Sequence, residues 1–178
     1  MAWTIDRAGR IKLHLKAVRD MEFPFLPRFG LRLFLPKAMD QVSYCGMGPF
    51  ENYQDKHQAS YHGTFSTTVG AMHEPYLRPQ ENGARSDCDW LTLSGDSHSL
   101  HVLGHGLNHR FSFTASAYTQ EELTAKAHEF ELISSGSTVL CLDYAQSGIG
   151  SGSCGPQLLD KYRLDKREME FDLLLEWK

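Results

Sequence analysis

Apolar and polar side chains alternate along several stretches of the chain, the period-two pattern of a strand with one buried face. Ile11, Leu13, Leu15 and Ala17 alternate with Lys12, His14 and Lys16. Leu31, Leu33 and Leu35 continue the pattern after Pro27-Arg28-Phe29-Gly30, and Phe111, Phe113 and Ala115 alternate with Ser112, Thr114 and Ser116. The cleanest case sets Met169, Phe171, Leu173, Leu175 and Trp177 against Glu170, Asp172 and Glu176. Val139-Leu140-Cys141-Leu142 is apolar on both sides, which predicts a central strand covered on both faces.

Only one helix is predicted. Thr119-Gln120-Glu121-Glu122 has the form of a capping box, in which the Thr hydroxyl serves the first turn and Glu122 reaches back. Leu123, Ala127 and Phe130 then share one helical face. The segment from Gly48 to about Tyr76 reads as a long irregular loop, and loops of that length are functional or packed against something else. Alternating strands with one short helix predict an all-β fold, an antiparallel sandwich. There is no internal repeat, low-complexity tract or linker. The start has no capped or polar leader, which reads as a fragment cut from a longer polypeptide.

The 178 residues, 41% hydrophobic and 22% charged, suffice for a packed core and argue against disorder. A net charge of −4 without a cationic stripe argues against a nucleic-acid partner. No run approaches the roughly 20 apolar residues of a membrane-spanning helix, and Met1-Ala2-Trp3-Thr4 leads into polar sequence without the apolar core of a signal peptide. Cys45, Cys88, Cys141 and Cys154 are scattered, with no CxxC pair, which favours free thiols in a reducing compartment. Four cysteines still permit three disulfide pairings.

The chemistry concentrates in three stretches: Gly48-Pro49-Phe50-Glu51-Asn52-Tyr53-Gln54-Asp55, Arg78-Pro79-Gln80-Glu81-Asn82-Gly83 and Gln146-Ser147-Gly148-Ile149-Gly150-Ser151-Gly152-Ser153-Cys154-Gly155-Pro156. Polar groups held between Gly and Pro corners suit binding loops on a stiff scaffold. Glu51, Asp55 and Glu81 are candidates for paired acid–base carboxylates, which glycoside hydrolysis places about 5–5.5 Å or 6.5–9.5 Å apart. The plainer alternative is favoured: they accept hydrogen bonds from loop backbone and from Arg28, Arg78 or Arg85. His98, His101, His105 and His109 resemble a metal cluster. In a strand, however, His98 and His101 point to opposite faces, and no carboxylate completes a set, so no metal site is expected. Cys154 suits a thiol at a pocket edge, without a paired base that would make it a nucleophile. Trp90, Tyr53, Tyr76 and Tyr144 offer aromatic faces for a sugar, Tyr53 and Tyr76 best because they lie in polar loops.

These motifs carry a resemblance. The first stretch, Pro79-Gln80-Glu81-Asn82-Gly83, Tyr118-Thr119-Gln120-Glu121-Glu122-Leu123, His128 and the Gly148–Pro156 run occur in the same order in the C-terminal, small-chain region of large β-galactosidases of glycoside hydrolase family two. The likeness runs from about Arg10 to the C-terminus. It implies a galactose-mutarotase-like antiparallel β-supersandwich, truncated, with residues 1–178 as one C-terminal domain. It also implies that the family's jelly roll, immunoglobulin-like sandwiches and catalytic barrel lie elsewhere. The family's two catalytic glutamates belong to that barrel and map onto no residue here, so the isolated chain is expected to be inactive. Its magnesium and sodium sites likewise have no counterpart, and no cofactor is expected. The resemblance places Cys154, after a one-residue shortening, where some members carry a tryptophan that stacks on sugar or aglycone; a thiol offers no such face. Tyr53, Glu81 and Asn82 are further substrate-binding candidates.

The implied function is that of a β-galactosidase segment: a retaining enzyme acting on terminal β-D-galactose, with this segment walling the active-site entrance. The implied partners are a β-galactoside, the remaining domains and further copies of the chain. The implied location is the cytoplasm, or the periplasm for the parent enzyme. A free-standing carbohydrate-binding module and an aldose-epimerase-like domain are the alternatives.

Overall fold

The computed structural model describes residues 1–105, 110–149 and 157–178. Among these residues, eleven strands form two antiparallel sheets. They are β1 (Ala2–Ile5), β2 (Ile11–Val18), β3 (Arg28–Pro36), β4 (Gln41–Gly48), β5 (Tyr61–Thr68), β6 (Arg85–Cys88), β7 (Trp90–Ser94), β8 (Ser99–Gly104), β9 (Phe111–Ser116), β10 (Ser137–Gln146) and β11 (Glu168–Trp177). The larger sheet has the order β1-β2-β11-β8-β7-β4-β5, the smaller β3-β10-β9-β6. Their inner faces share one core, in which Leu13, Tyr44, Leu91, Val102, Phe171 and Leu173 of the large sheet meet Phe111, Phe113, Leu140 and Leu142 of the small one. Tyr44 meets Phe113 edge-on, ring centroids 5.3 Å apart. The all-β sandwich expected from the sequence is the fold observed.

The period-two strands behave as their patterns require. Met169, Phe171, Leu173 and Leu175 of β11 are buried, and Leu13 of β2 pairs with Leu173 in register. Trp177, at the end of the strand, is 47% exposed, and its ring lies 5.8 Å from that of His98. β10 is buried from Thr138 to Asp143, with the core on one face and Gln120, the first residue of helix α1 (Gln120–Ala125), against Cys141 on the other. Gln120 Nε2 lies 3.5 Å from Cys141 Sγ on that outer face.

The helix is shorter than its apolar spacing predicts: Lys126 is already extended, so Ala127 and Phe130 lie outside it, and Phe130 is 84% exposed. Thr119 Oγ1 accepts from the Glu122 N–H at 3.1 Å, but the Glu122 carboxylate takes the N–H of Ile133 at 2.8 Å instead of completing the box. The Glu131 carboxylate then accepts from the N–H groups of Ala127 and His128 and starts a separate 3-10 turn, Glu129–Glu131. The stretch from Gly48 to Tyr76 is not irregular throughout, since it contains β5. β5 is an edge strand paired only with β4, so its outward residues remain polar and the alternation is faint.

Candidate functional site

The first two polar stretches meet at one end of the sandwich. Glu51 follows β4 and is almost fully buried, at 5% exposure. Its carboxylate accepts from the Gly83 N–H at 2.8 Å, from the Lys56 ammonium and from the Tyr76 hydroxyl. Three donors, one of them cationic, offset the desolvation of a charge that would otherwise be costly to bury. Gly83 has φ +75°, and a Cβ there would sit 2.6 Å from the Met72 carbonyl oxygen. Only glycine can bring this N–H to the carboxylate without displacing backbone.

Asn52 is the centre of this knot and is 1% exposed. Its backbone N–H donates to the Ala84 carbonyl, and its side-chain amide donates to the carbonyls of Met47 and Phe50, each at 2.9 Å. Its side-chain oxygen accepts from the N–H and hydroxyl of Ser86. The Tyr53 hydroxyl accepts from the Ala84 N–H at 3.4 Å, and Tyr53 is buried. Burial pushes the Tyr53 phenol well above its usual range, with the charges of Glu81 and Glu51 adding to the effect. Asn82 accepts from the Glu74 N–H at 3.1 Å and donates to the Gln80 carbonyl at 2.9 Å, which closes the second loop on itself.

The third stretch joins at Asp55, whose carboxylate accepts from the Ile149 N–H at 3.1 Å. Gly148 lies flat against that carboxylate, since a Cβ on it would come within 2.5 Å of Asp55 Cγ. Cys154 lies outside the described residues, as do Gly150 to Pro156 as a whole. The described beginning of its loop is thus tied to the Glu51–Asp55 segment.

Glu81 belongs to a neighbouring ionic cluster. Arg28, at the head of β3, spans Glu81 at 3.0 Å, both carboxylate oxygens of Asp143 and the Thr114 hydroxyl at 3.3 Å. Gln146 also donates to Asp143, at 2.8 Å. One guanidinium therefore serves two carboxylates. Burial pushes Glu81 up to about 7, and the nearby charges of Asp143 and Glu51 act in the same direction while Arg28 opposes them. Burial likewise raises Asp143.

The carboxylates thus have the partners of loop-building groups: backbone N–H for Glu51 and Asp55, Arg28 for Glu81. Arg85 serves other groups, the Tyr44 hydroxyl and the carbonyls of Gly83 and Ala84, each at 3.1 Å. His101 bonds the Thr92 hydroxyl at 2.7 Å, and His98, His101 and His105 join no metal-capable group among the described residues. His109 lies outside those residues. Cys45, Cys88 and Cys141 are free thiols.

Beside the knot lies a cleft of about 400 Å³, lined by residues including Tyr53, His57, Arg110, Tyr144, Lys161 and Tyr162. It combines aromatic faces with polar and cationic groups, the composition that a hydroxyl-rich ligand requires. Tyr53 and Tyr144 bring two of the four sequence-designated aromatics to it. Tyr76 instead bonds Glu51 and Lys56, and Trp90 packs near the His101 ring at 6.0 Å. Sequence reasoning missed Lys161, Tyr162, His57 and Arg110, which lie outside the quoted stretches. For Asn52 the signal in the sequence is an amide between Gly-Pro and Tyr, able to donate and accept at once.

The family described as β-galactosidase small chain matches residues 1–175. A β-galactosidase of Actinobacillus pleuropneumoniae is 46% identical over 176 residues, 98% of this chain and 17% of the relative. One of Staphylococcus xylosus is 42% identical over 177 residues, 99% of this chain and 18% of the relative. One of Pseudoalteromonas haloplanktis is 33% identical over 175 residues, 97% of this chain and 16% of the relative. The chain therefore spans less than a fifth of the length of these curated relatives. A match that covers nearly every residue, over a fold of the expected class, shows that the chain belongs to the β-galactosidase small-chain family.

Proposed function

We propose that this chain is the C-terminal domain of a β-galactosidase, an enzyme that removes terminal β-D-galactose with retention, and that its loop end forms part of the active-site entrance. The acids that break the bond belong to the rest of the enzyme. The observation that carries the reading is the joining of the three polar stretches at one end of the sandwich, by Glu51 with Gly83 and Asp55 with Ile149. A scaffold that merely fills space needs no such concentration of buried polar groups. The adjoining cleft, with Tyr144, Lys161 and Tyr162, supports contact with a sugar or its aglycone. By the family resemblance Cys154 borders the aglycone, and Glu81 and Asn82 hold the Arg78–Gly83 loop in shape.

The test replaces the matching segment of the A. pleuropneumoniae β-galactosidase with this chain. The chimera is expected to hydrolyse a chromogenic β-galactoside, whereas the pure 178-residue chain does not. Turnover by the chain alone, or a folded but inactive chimera, contradicts the proposal.

A further inference from the structure

We propose that Cys45, His62 and Asp89 form a Zn²⁺ site on the outer face of the large sheet, joined to the cleft only through Arg110. Cys45 lies on β4, next to core-facing Tyr44, and therefore points away from the core. His62 lies on β5 and is offset from Cys45 by one cross-strand step, since Cys45 pairs with Thr64 and Met47 with His62. Asp89 directly precedes β7, and its N–H donates to the Cys45 carbonyl at 2.8 Å. Sheet register thus fixes Cys45 and His62, and the backbone bond to Cys45 fixes Asp89.

The ligand atoms are already gathered. Asp89 Oδ2 lies 3.2 Å from His62 Nε2 and 3.6 Å from Cys45 Sγ, and all three atoms lie within 4.8 Å of one another. A tetrahedral zinc ion with Zn–S of about 2.3 Å and Zn–N or Zn–O of about 2.0–2.2 Å holds its ligand atoms roughly 3.3–3.6 Å apart. Two of the three edges therefore match. The third, between Cys45 Sγ and the His62 ring, is no longer than 4.8 Å, and His62 is a part-exposed side chain on an edge strand, free to rotate.

The Arg110 Nε donates to Asp89 Oδ1 at 2.9 Å, which orients the carboxylate and leaves Oδ2 toward the other two ligands. A thiolate with an imidazole selects zinc over magnesium or calcium, which prefer oxygen alone. On binding, the Cys45 S–H bond breaks, its proton passes to water, and the sulfur lone pair enters the Zn–S bond. Water takes the fourth position. No oxidation or reduction occurs.

The experiment strips the chain with chelator, dialyses it against zinc chloride, desalts it and counts zinc per chain. A parallel titration with Co²⁺ follows thiolate-to-cobalt charge-transfer absorption. The wild-type chain is expected to retain about one zinc and to give the cobalt band. Cys45→Ser loses both, His62→Ala loses the retained zinc, and His98→Ala keeps both. Should Cys45→Ser fail to fold, His62→Ala decides, because His62 lies on the sheet edge. No retained zinc, no thiolate band, or equal retention by either ligand variant overturns the proposal.

Discussion

The interior between the two sheets and the knot at the loop end are both buried, yet they are held in opposite ways. Phe171, Leu173, Leu140 and Phe113 are packed by contact alone, and their contribution scales with the apolar area removed from water. Glu51, Asn52 and Asn82 are equally hidden, but each depends on named donors and acceptors. The interior tolerates changes that conserve volume. The knot tolerates none that strand a polar group. A sandwich is stable without such a knot; its presence at one end marks where the shape of loops matters more than their stability.

Variants can sharpen or break this contrast. The largest effect is expected from Phe171→Ala, which opens a cavity in the shared core and costs about 3–5 kcal/mol. Denaturant unfolding should show one cooperative transition shifted as a whole. Asn52→Leu keeps the volume but removes the amide bonds to the carbonyls of Met47 and Phe50 and to the Ser86 N–H. A loss of about 1–3 kcal/mol is expected, with faster hydrogen exchange confined to the loop end because local opening lets water in. Exchange that rises uniformly through the strands would erase the distinction between the two regions.

The Glu81 cluster gives a subtler handle. Its carboxyl titrates near 7 in the folded chain against an ordinary value of 4.5, so the folded state binds the proton more tightly than the unfolded one. Stability is then greatest below about 4.5 and falls as pH rises toward about 7, as far as this group is concerned. Glu81→Gln should remove that part of the slope in melts across the window. Asp143 acts in the same direction through its own burial. An unchanged slope would show that Arg28 fully compensates the charge. Smallest of all, Thr119→Ala removes the helix cap and should cost about 1 kcal/mol, read as a small shift in midpoint with the loop end untouched.

The same contrast explains what could be read in the sequence. β11 and β10 were legible because area burial writes itself as period two or as an unbroken apolar run. β5 was hidden because an edge strand buries little, with Phe65 alone reaching the core. The helix was overread, since Ala127 and Phe130 fit a helical spacing that the chain abandons at Lys126. The site was legible as three polar stretches and as the family they resemble. Their mutual bonds were not, because Glu51 with Gly83 and Asp55 with Ile149 are long-range pairings that no local period encodes.

The most direct measurement is steady-state kinetics of Asn52→Leu in the chimeric β-galactosidase, with Thr119→Ala as the folded control. If the knot shapes the entrance, Asn52→Leu lowers kcat/KM for an aryl β-galactoside by a factor that depends on the aglycone, while Thr119→Ala leaves it unchanged. Equal kinetics for the unsubstituted chimera and both folded variants would contradict the account.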